Sequence, residues 1–296
     1  MIGLKQIKLN TMTNENTFNY KSPSKRDEYI LKGTTGLTSP SVTVNLQKTL
    51  LSGSFHTGSR ADEREVTLEF ILNPDRSKGH TVEYLRDEIY QHILAGQNPN
   101  ESTTLTLVGS VDVASVECYI SNVEADLYTK EPVMQLTLQC ASPYFESVNV
   151  KEFTAETEKS GEFMKFDIFN PGAPVGFVLN TVTANTVNYF GVVSETTGQR
   201  VQVSEVDRIS PTPSKTGFTF DSTEKGRDIR QNYTTSSSYY RHVFDKVLME
   251  QHAWVYLAPG KNVIRAGSKV SGENAVLRYR PRYWGCLLYT SPSPRD

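Results

Sequence analysis

The sequence is short of cysteine, of net charge and of long apolar runs, and each shortage removes a class of protein. Cys118, Cys140 and Cys286 are the only three cysteines in 296 residues. They are too few and too far apart for a disulfide framework or a zinc cluster. The 31 basic and 33 acidic residues leave a formal net charge of -2 and are closely mixed. That speaks against nucleic acid as a partner, because neutralising phosphates takes a concentrated basic face. No stretch approaches the roughly 20 consecutive apolar residues of a membrane span, so no membrane role is expected. The first ten residues, MIGLKQIKLN, alternate apolar with polar instead of forming the apolar run of a secretory signal. The expectation is synthesis in a reducing cytosol.

Signatures of chemistry are missing too. The five histidines, His56, His80, His92, His242 and His252, show no H-E-x-x-H spacing, and none neighbours a Cys or Asp cluster. His80 precedes a helix and His92 lies on its third turn, too far apart to share a metal. There is no G-x-S-x-G elbow and no phosphate-cradling glycine loop. Ser54 and His56 lie close in sequence, but nucleophilic catalysis needs a third orienting group that the spacing does not supply. Two well-placed carboxylates suffice for glycoside hydrolysis, and spacing says nothing about them. Asp62, Glu63, Glu65 and Glu69 cluster, but they alternate with Arg60 and Arg64, as on a solvated ion-pair face. Asp126 and Glu131 flank a turn. The sequons at Asn100 and Asn232 carry little weight without a signal peptide. No catalytic, metal-binding or cofactor-binding residue is assigned, and the chain is expected not to be an enzyme.

What the chain does have is β-forming side chains. Hydrophobic residues make up only 37 %, yet there are 15 Tyr and 13 Phe, with Val and Thr throughout. Such residues suit thin sheets with one wet face. Strand alternation is expected over 1–10, 29–31, 42–46, 64–72, 103–108, 116–123 and 133–140. Residues 11–26 are expected to be turn-rich, and Thr57–Arg60 is expected to be a polar loop. Val82, Leu85, Ile89 and Ile93 recur at spacings of three and four, which predicts one helix over 81–94, with Thr81 as N-cap and Gly96 as its stop.

The charged, aperiodic stretch Glu152–Gly161 suggests a domain boundary near residue 150. The second half reads as another sandwich, with strands over 164–169, 175–179, 190–193, 200–206, 218–221, 255–264 and 274–283. Thr234–Ser238 reads as a loop. Tyr233, Tyr239, Tyr240 and Tyr256 could serve a core, a protein interface or a sugar. The final CLLYTSPSPRD shares none of the preceding strand's chemistry and looks like a translated sequencing adapter. Residues 286–296 are therefore set aside, and Cys118 and Cys140 are read as small buried hydrophobes.

Several motifs, taken in order, carry a resemblance. In the first half they are Gly53-Ser54-Phe55-His56-x-Gly58-Ser59-Arg60, the alternating run from Arg64 to Phe70, and Cys140-x-Ser142-Pro143-Tyr144-Phe145. In the second they are Asn170-Pro171-Gly172, Thr197-Gly198, Phe220-Asp221-Ser222-Thr223, Leu257-x-Pro259-Gly260-x-Asn262-x-Ile264 and Tyr279-Arg280-Pro281-Arg282-Tyr283. Over 1–285 the chain resembles the distal tail protein family of long-tailed siphophages. The resemblance implies an all-β protein with one helix. Its N-terminal ring-forming sandwich or split barrel would span 1–150, and its galectin-like sandwich 151–285.

It further implies a homo-oligomer, a hexameric ring in the virion at the distal end of the tail, made in the host bacterial cytoplasm. Implied partners are the tail tube protein, the tape measure, and a tail-associated lysin, fibre or receptor-binding protein. Strands in 1–10, 42–46 and 64–72, with the hairpin arms, would supply much of the ring contact. Two other readings stay open. One is a lectin-like tail protein that binds host cell-wall sugar; the other is a wall hydrolase using two carboxylates.

Overall fold

The computed structural model describes residues 6–10, 15–19, 27–48, 54–95, 103–109, 112–125, 132–157, 161–183, 187, 189–204, 215–234, 238–248 and 254–285. The chain divides into two compact units, Met1–Val148 with Tyr283–Asp296, and Asn149–Arg282. The predicted helix stop at Gly96, the Asp126–Glu131 turn, His252 and the tail 286–296 lie outside the described residues.

In the first unit the strands are β1 (Gln6–Asn10), β2 (Glu15–Asn19), β3 (Tyr29–Thr35), β4 (Val42–Lys48), β5 (Ser54–Ala61) and β6 (Arg64–Leu72). The helix α1 (Val82–Ala95) precedes β7 (Thr103–Val108), β8 (Val113–Ala125), β9 (Val133–Cys140) and β10 (Phe145–Ser147). The sheet runs β8-β7-β1-β2-β3-β6-β9, and a further β8–β9 pairing closes it into a seven-stranded barrel. Its weak seam is β2–β3, joined by the single parallel pair Asn19↔Ile30. Alternation drives the closure: on β6, Arg64, Val66, Leu68, Phe70 and Leu72 are buried while the residues between them are not. Ile7, Leu105, Leu107, Val116, Leu136 and Leu138 fill the same interior.

Leu85 and Ile89 bring α1 into this core, and Tyr29 donates to Glu88 Oε2 at 2.5 Å, tying β3 to the helix. Burial and that bond push the Tyr29 phenol well above its ordinary pKa. Thr81 caps the helix as predicted, its Oγ1 accepting from the Tyr84 amide at 3.2 Å.

Two secondary-structure expectations for this unit fail. Within the presumed turn-rich stretch 11–26, β2 forms because the β1 edge supplies a complete antiparallel register from Gln6↔Asn19 to Asn10↔Glu15. Thr57–Arg60 is not a loop but the middle of β5, paired with β4 from Val42↔Ala61 to Lys48↔Ser54. Backbone pairing decides both cases, and in β5 the polar side chains, exposed or half-exposed over 56–61, do not oppose it.

In the second unit the strands are β11 (Lys151–Glu156), β12 (Met164–Asn170), β13 (Val178–Val182), β14 (Phe190–Ser194), β15 (Arg200–Val203) and β16 (Lys215–Asp221). They are followed by β17 (Asp228–Thr234), β18 (Ser238–His242), β19 (Gly260–Gly267) and β20 (Asn274–Tyr279); the last strand, β21 (Arg282–Tyr283), joins the first unit's sheet next to β10. A six-stranded sheet, β11-β20-β13-β16-β17-β18, and a four-stranded sheet, β12-β19-β14-β15, enclose one core. Phe166, Phe177, Phe190, Phe218, Phe220, Ile264 and Leu277 are its larger members.

The motif residues of this half are turn staples. Asn170 Nδ2 donates to the Ala173 carbonyl at 2.8 Å, and Asn262 Oδ1 accepts from the Ala258 amide at 2.8 Å. Gly198, at φ 73°, turns the β14–β15 hairpin in the left-handed region that glycine tolerates best. The stretch from 152 onward is not aperiodic coil: β11 pairs with β20 from Lys151↔Tyr279 to Glu156↔Asn274. The expected closing strand 274–283 is interrupted after Tyr279, and Tyr283 packs in the core of the first unit. Its hydroxyl donates to Asp112 Oδ2 at 2.6 Å. Among the described residues no helix is long and apolar enough to cross a membrane.

Candidate functional site

In the first unit β4 and β5 pair only with each other among the described strands, forming a two-stranded arm. Val42, Val44 and Leu46 alternate along β4, so they share one face, and they are 51, 52 and 61 % exposed. A register shift at Asn45/Leu46 adds local twist. The base of the arm is pinned by Thr43 Oγ1 donating to Asp62 Oδ2 at 2.7 Å and by the Asp62 amide donating to the Ser41 carbonyl at 3.0 Å. An isolated two-stranded ribbon is marginal in water, and its apolar strip is left facing solvent. Chemically, the arm is suited to pairing with protein.

Near the start of β6, Arg64 departs from the sequence expectation. It is not on a solvated ion-pair face but 2 % exposed. Strand parity places it with Val66, Leu68 and Phe70 on the inner face. Its guanidinium donates to the carbonyls of Gly36 and Thr38 at 2.5 Å each, of Pro143 at 2.7 and 3.1 Å, and of Trp284. The charge also lies 4.6 Å over the Phe145 ring. Burial lowers its pKa from the ordinary arginine value. Gly36 admits no side chain, because its φ is +76° and a Cβ would sit 1.8 Å from the Glu65 carbonyl oxygen. The rest of the cluster is solvated: Arg60 pairs with Asp62, and Glu69 with Lys32.

On the outer face of the six-stranded sheet, Thr219 Oγ1 donates to Asn180 Oδ1 at 2.7 Å and accepts from Asn232 Nδ2 at 2.7 Å. Beside this row, Tyr240 is 58 % exposed with Arg230 5.1 Å above its ring. Burial raises the Asp228 pKa, but hydrogen bonds from His242 and Arg230 outweigh it and hold the carboxyl low. These are satisfied polar groups beside one exposed aromatic ring.

Among the described residues the histidines are not gathered into a site. His56 is exposed on β5, while His80 stacks on Tyr84 at 4.2 Å and lies 2.6 Å from Glu28 Oε1. His242 lies 2.9 Å from Asp228 Oδ1. Among the described residues no group of three or more His, Cys, Asp or Glu side chains could hold a metal. Cys118 and Cys140 are both free and buried, as their positions in strands suggested.

No profile of a known protein family matches the sequence, and no curated protein matches it. Solved structures do match. The Dit protein of phage SPP1, described as a paradigm of the hub adsorption apparatus in phages that infect Gram-positive bacteria, superposes with a TM-score of 0.58 at 11 % identity. That match covers 93 % of this chain and 98 % of the SPP1 protein. Baseplate structures of phage p2 in the activated conformation match more loosely. The strontium form gives a TM-score of 0.39 at 9 % identity, covering 94 % of this chain and 98 % of that one. The calcium form gives 0.38 at 9 % identity, with 93 % and 98 % covered. The agreement with SPP1 Dit runs over both units, and the chain therefore has the fold of a siphophage distal tail hub protein.

Proposed function

We propose that this chain is a non-enzymatic structural protein of a phage tail. It assembles into a closed hexameric ring that joins the distal end of the tail tube to the baseplate and the adsorption apparatus. The observation that carries this reading is the β4–β5 arm with Val42, Val44 and Leu46 exposed along one face. Each of these side chains is about half solvated, and covering it is worth about 1 kcal/mol. One arm is a weak contact, but a heterologous contact repeated around a ring closes on itself, so every copy is held on two sides. The likeness of both units to SPP1 Dit supports the same reading. The ring requires no active site; its mechanism is geometric closure. Native mass spectrometry of the purified full chain is expected to give six copies. A single copy at every concentration would refute the ring.

A second reading has its own observation. The exposed ring of Tyr240 beside the Asn180–Thr219–Asn232 row offers a stacking face next to hydroxyl and amide groups, the chemistry of a neutral sugar site. Saturable binding of the full chain to cell-wall glycans, lost in Tyr240→Ala, would establish this lectin function. Unchanged binding in that variant, or none at all, would dismiss it.

A further inference from the structure

We propose that Cys118 and Cys140 form a latent cross-strand disulfide: two buried thiols, free in this structure, placed to couple when the folded chain meets dissolved oxygen. The first argument is register. β8 and β9 are antiparallel with Tyr119 opposite Gln139, so one step further along Cys118 stands opposite Cys140. Parity then sets the face. Cys118 is in phase with Ala114 and Val116, and Cys140 with Met134, Leu136 and Leu138, all of them in the barrel core. Both cysteines are 0 % exposed. Directly opposed residues of an antiparallel pair have Cα atoms about 4.5–5.5 Å apart, inside the roughly 4.4–6.8 Å that a disulfide spans. Coupling therefore asks for side-chain rotation and no shift of the backbone.

The surroundings fit the chemistry. Arg64 is the direct partner of Cys140 across β6–β9, and Thr103 that of Cys118 across β7–β8. The Cys118 thiol donates to the Thr103 carbonyl at 3.3 Å. Among the described residues, every hydrogen bond of the Arg64 guanidinium goes to a backbone carbonyl, so no carboxylate neutralises its charge there. A thiolate on Cys140 would lie next to that charge. The adjacent Cys118 thiol and the positive Arg64 both hold Cys140 below the ordinary thiol value, whereas its neighbour Cys140 and burial push Cys118 up. Thiolate character governs oxidation, and the Arg64 charge stands on the Cys140 side of the pair. In the overall step the two thiols release two protons and two electrons as the S–S bond forms. Oxygen takes up both and becomes hydrogen peroxide.

Position gives the bond its consequence. The β8–β9 pairing is the one that closes the barrel, so the disulfide would lock that closure. The proposal does not depend on the ring reading, since it concerns the interior of the first unit alone.

The test uses the full chain with Cys286→Ser, purified reduced and then held folded in air-saturated buffer with a trace of copper–phenanthroline as catalyst. The expected results are loss of the mass of two hydrogens, a linked Cys118–Cys140 peptide, and no thiol titratable in denaturant. The thermal midpoint should rise by several degrees and return with dithiothreitol. Adding Cys118→Ala or Cys140→Ala should abolish the mass change and the rise; having both guards against one variant failing to fold. Two thiols per chain still titratable after oxidation of the folded protein would overturn the proposal. So would a bond that forms only in denaturant or only between chains.

Discussion

Two buried charged residues carry the sharpest consequences at the level of single side chains. Arg64 ties the carbonyls of Gly36, Thr38, Pro143 and Trp284 together inside the first unit. Removing it strands buried acceptors, so Arg64→Ala is expected to destabilise that unit by about 3–5 kcal/mol. Arg64→Lys should rescue little, because one ammonium cannot replace a planar fork. The first unit contains Trp284 and the second Trp254, so denaturant titration of single-tryptophan variants can assign the loss to the first unit. Glu273 is the second case. It is 0 % exposed, and burial raises its pKa above the ordinary glutamate value despite the Ser268 amide and hydroxyl donating to it. A carboxyl whose pKa is higher folded than unfolded binds the extra proton in the folded state. Its contribution is therefore present at low pH and lost as pH rises from the unfolded value through the folded one. Glu273→Gln should flatten that slope and raise the second unit's melting temperature by a few degrees at pH 7, as read by calorimetry across pH. The signal for Arg64 was present in the sequence, in its parity with Val66, Leu68 and Phe70. The neighbouring Asp62, Glu63 and Glu65 masked it, because adjacent charges usually mean a wet face.

Among the elements, the arm makes the discriminating prediction. Leu46→Asp and Val44→Asp alter side chains that are already exposed, so the melting temperature should stay within a degree or two. Self-association, followed by sedimentation, should be lost. If both variants assemble like the parent, the arm is not the contact. The elements that the sequence made legible are those with one dry face: β6, β7, β9 and α1 show clean two-fold or 3.6-fold periods. Those it hid are β2, β5, β11, β17 and β18. β11, for instance, runs exposed or half-exposed throughout, so no apolar period marks it. Residues 42–46 were legible as a strand, but alternation looks the same whether the apolar face meets a core or a partner. That the face is open had to come from the structure.

For the molecule as a whole, the two-unit organisation matters because each unit closes its own core, a barrel in one and a two-sheet sandwich in the other. The unit boundary is not a single cut in sequence: Tyr283 and Trp284 belong to the first unit, and no local signal near residue 280 announces that return. The ring reading rests on this barrel with its exposed two-stranded arm. The most direct test is negative-stain imaging of the purified full chain, with symmetry determined from end-on class averages. Six-fold rings that are lost in Leu46→Asp are the predicted result. Single, unassociated particles at concentrations where the chain is intact and folded would contradict it.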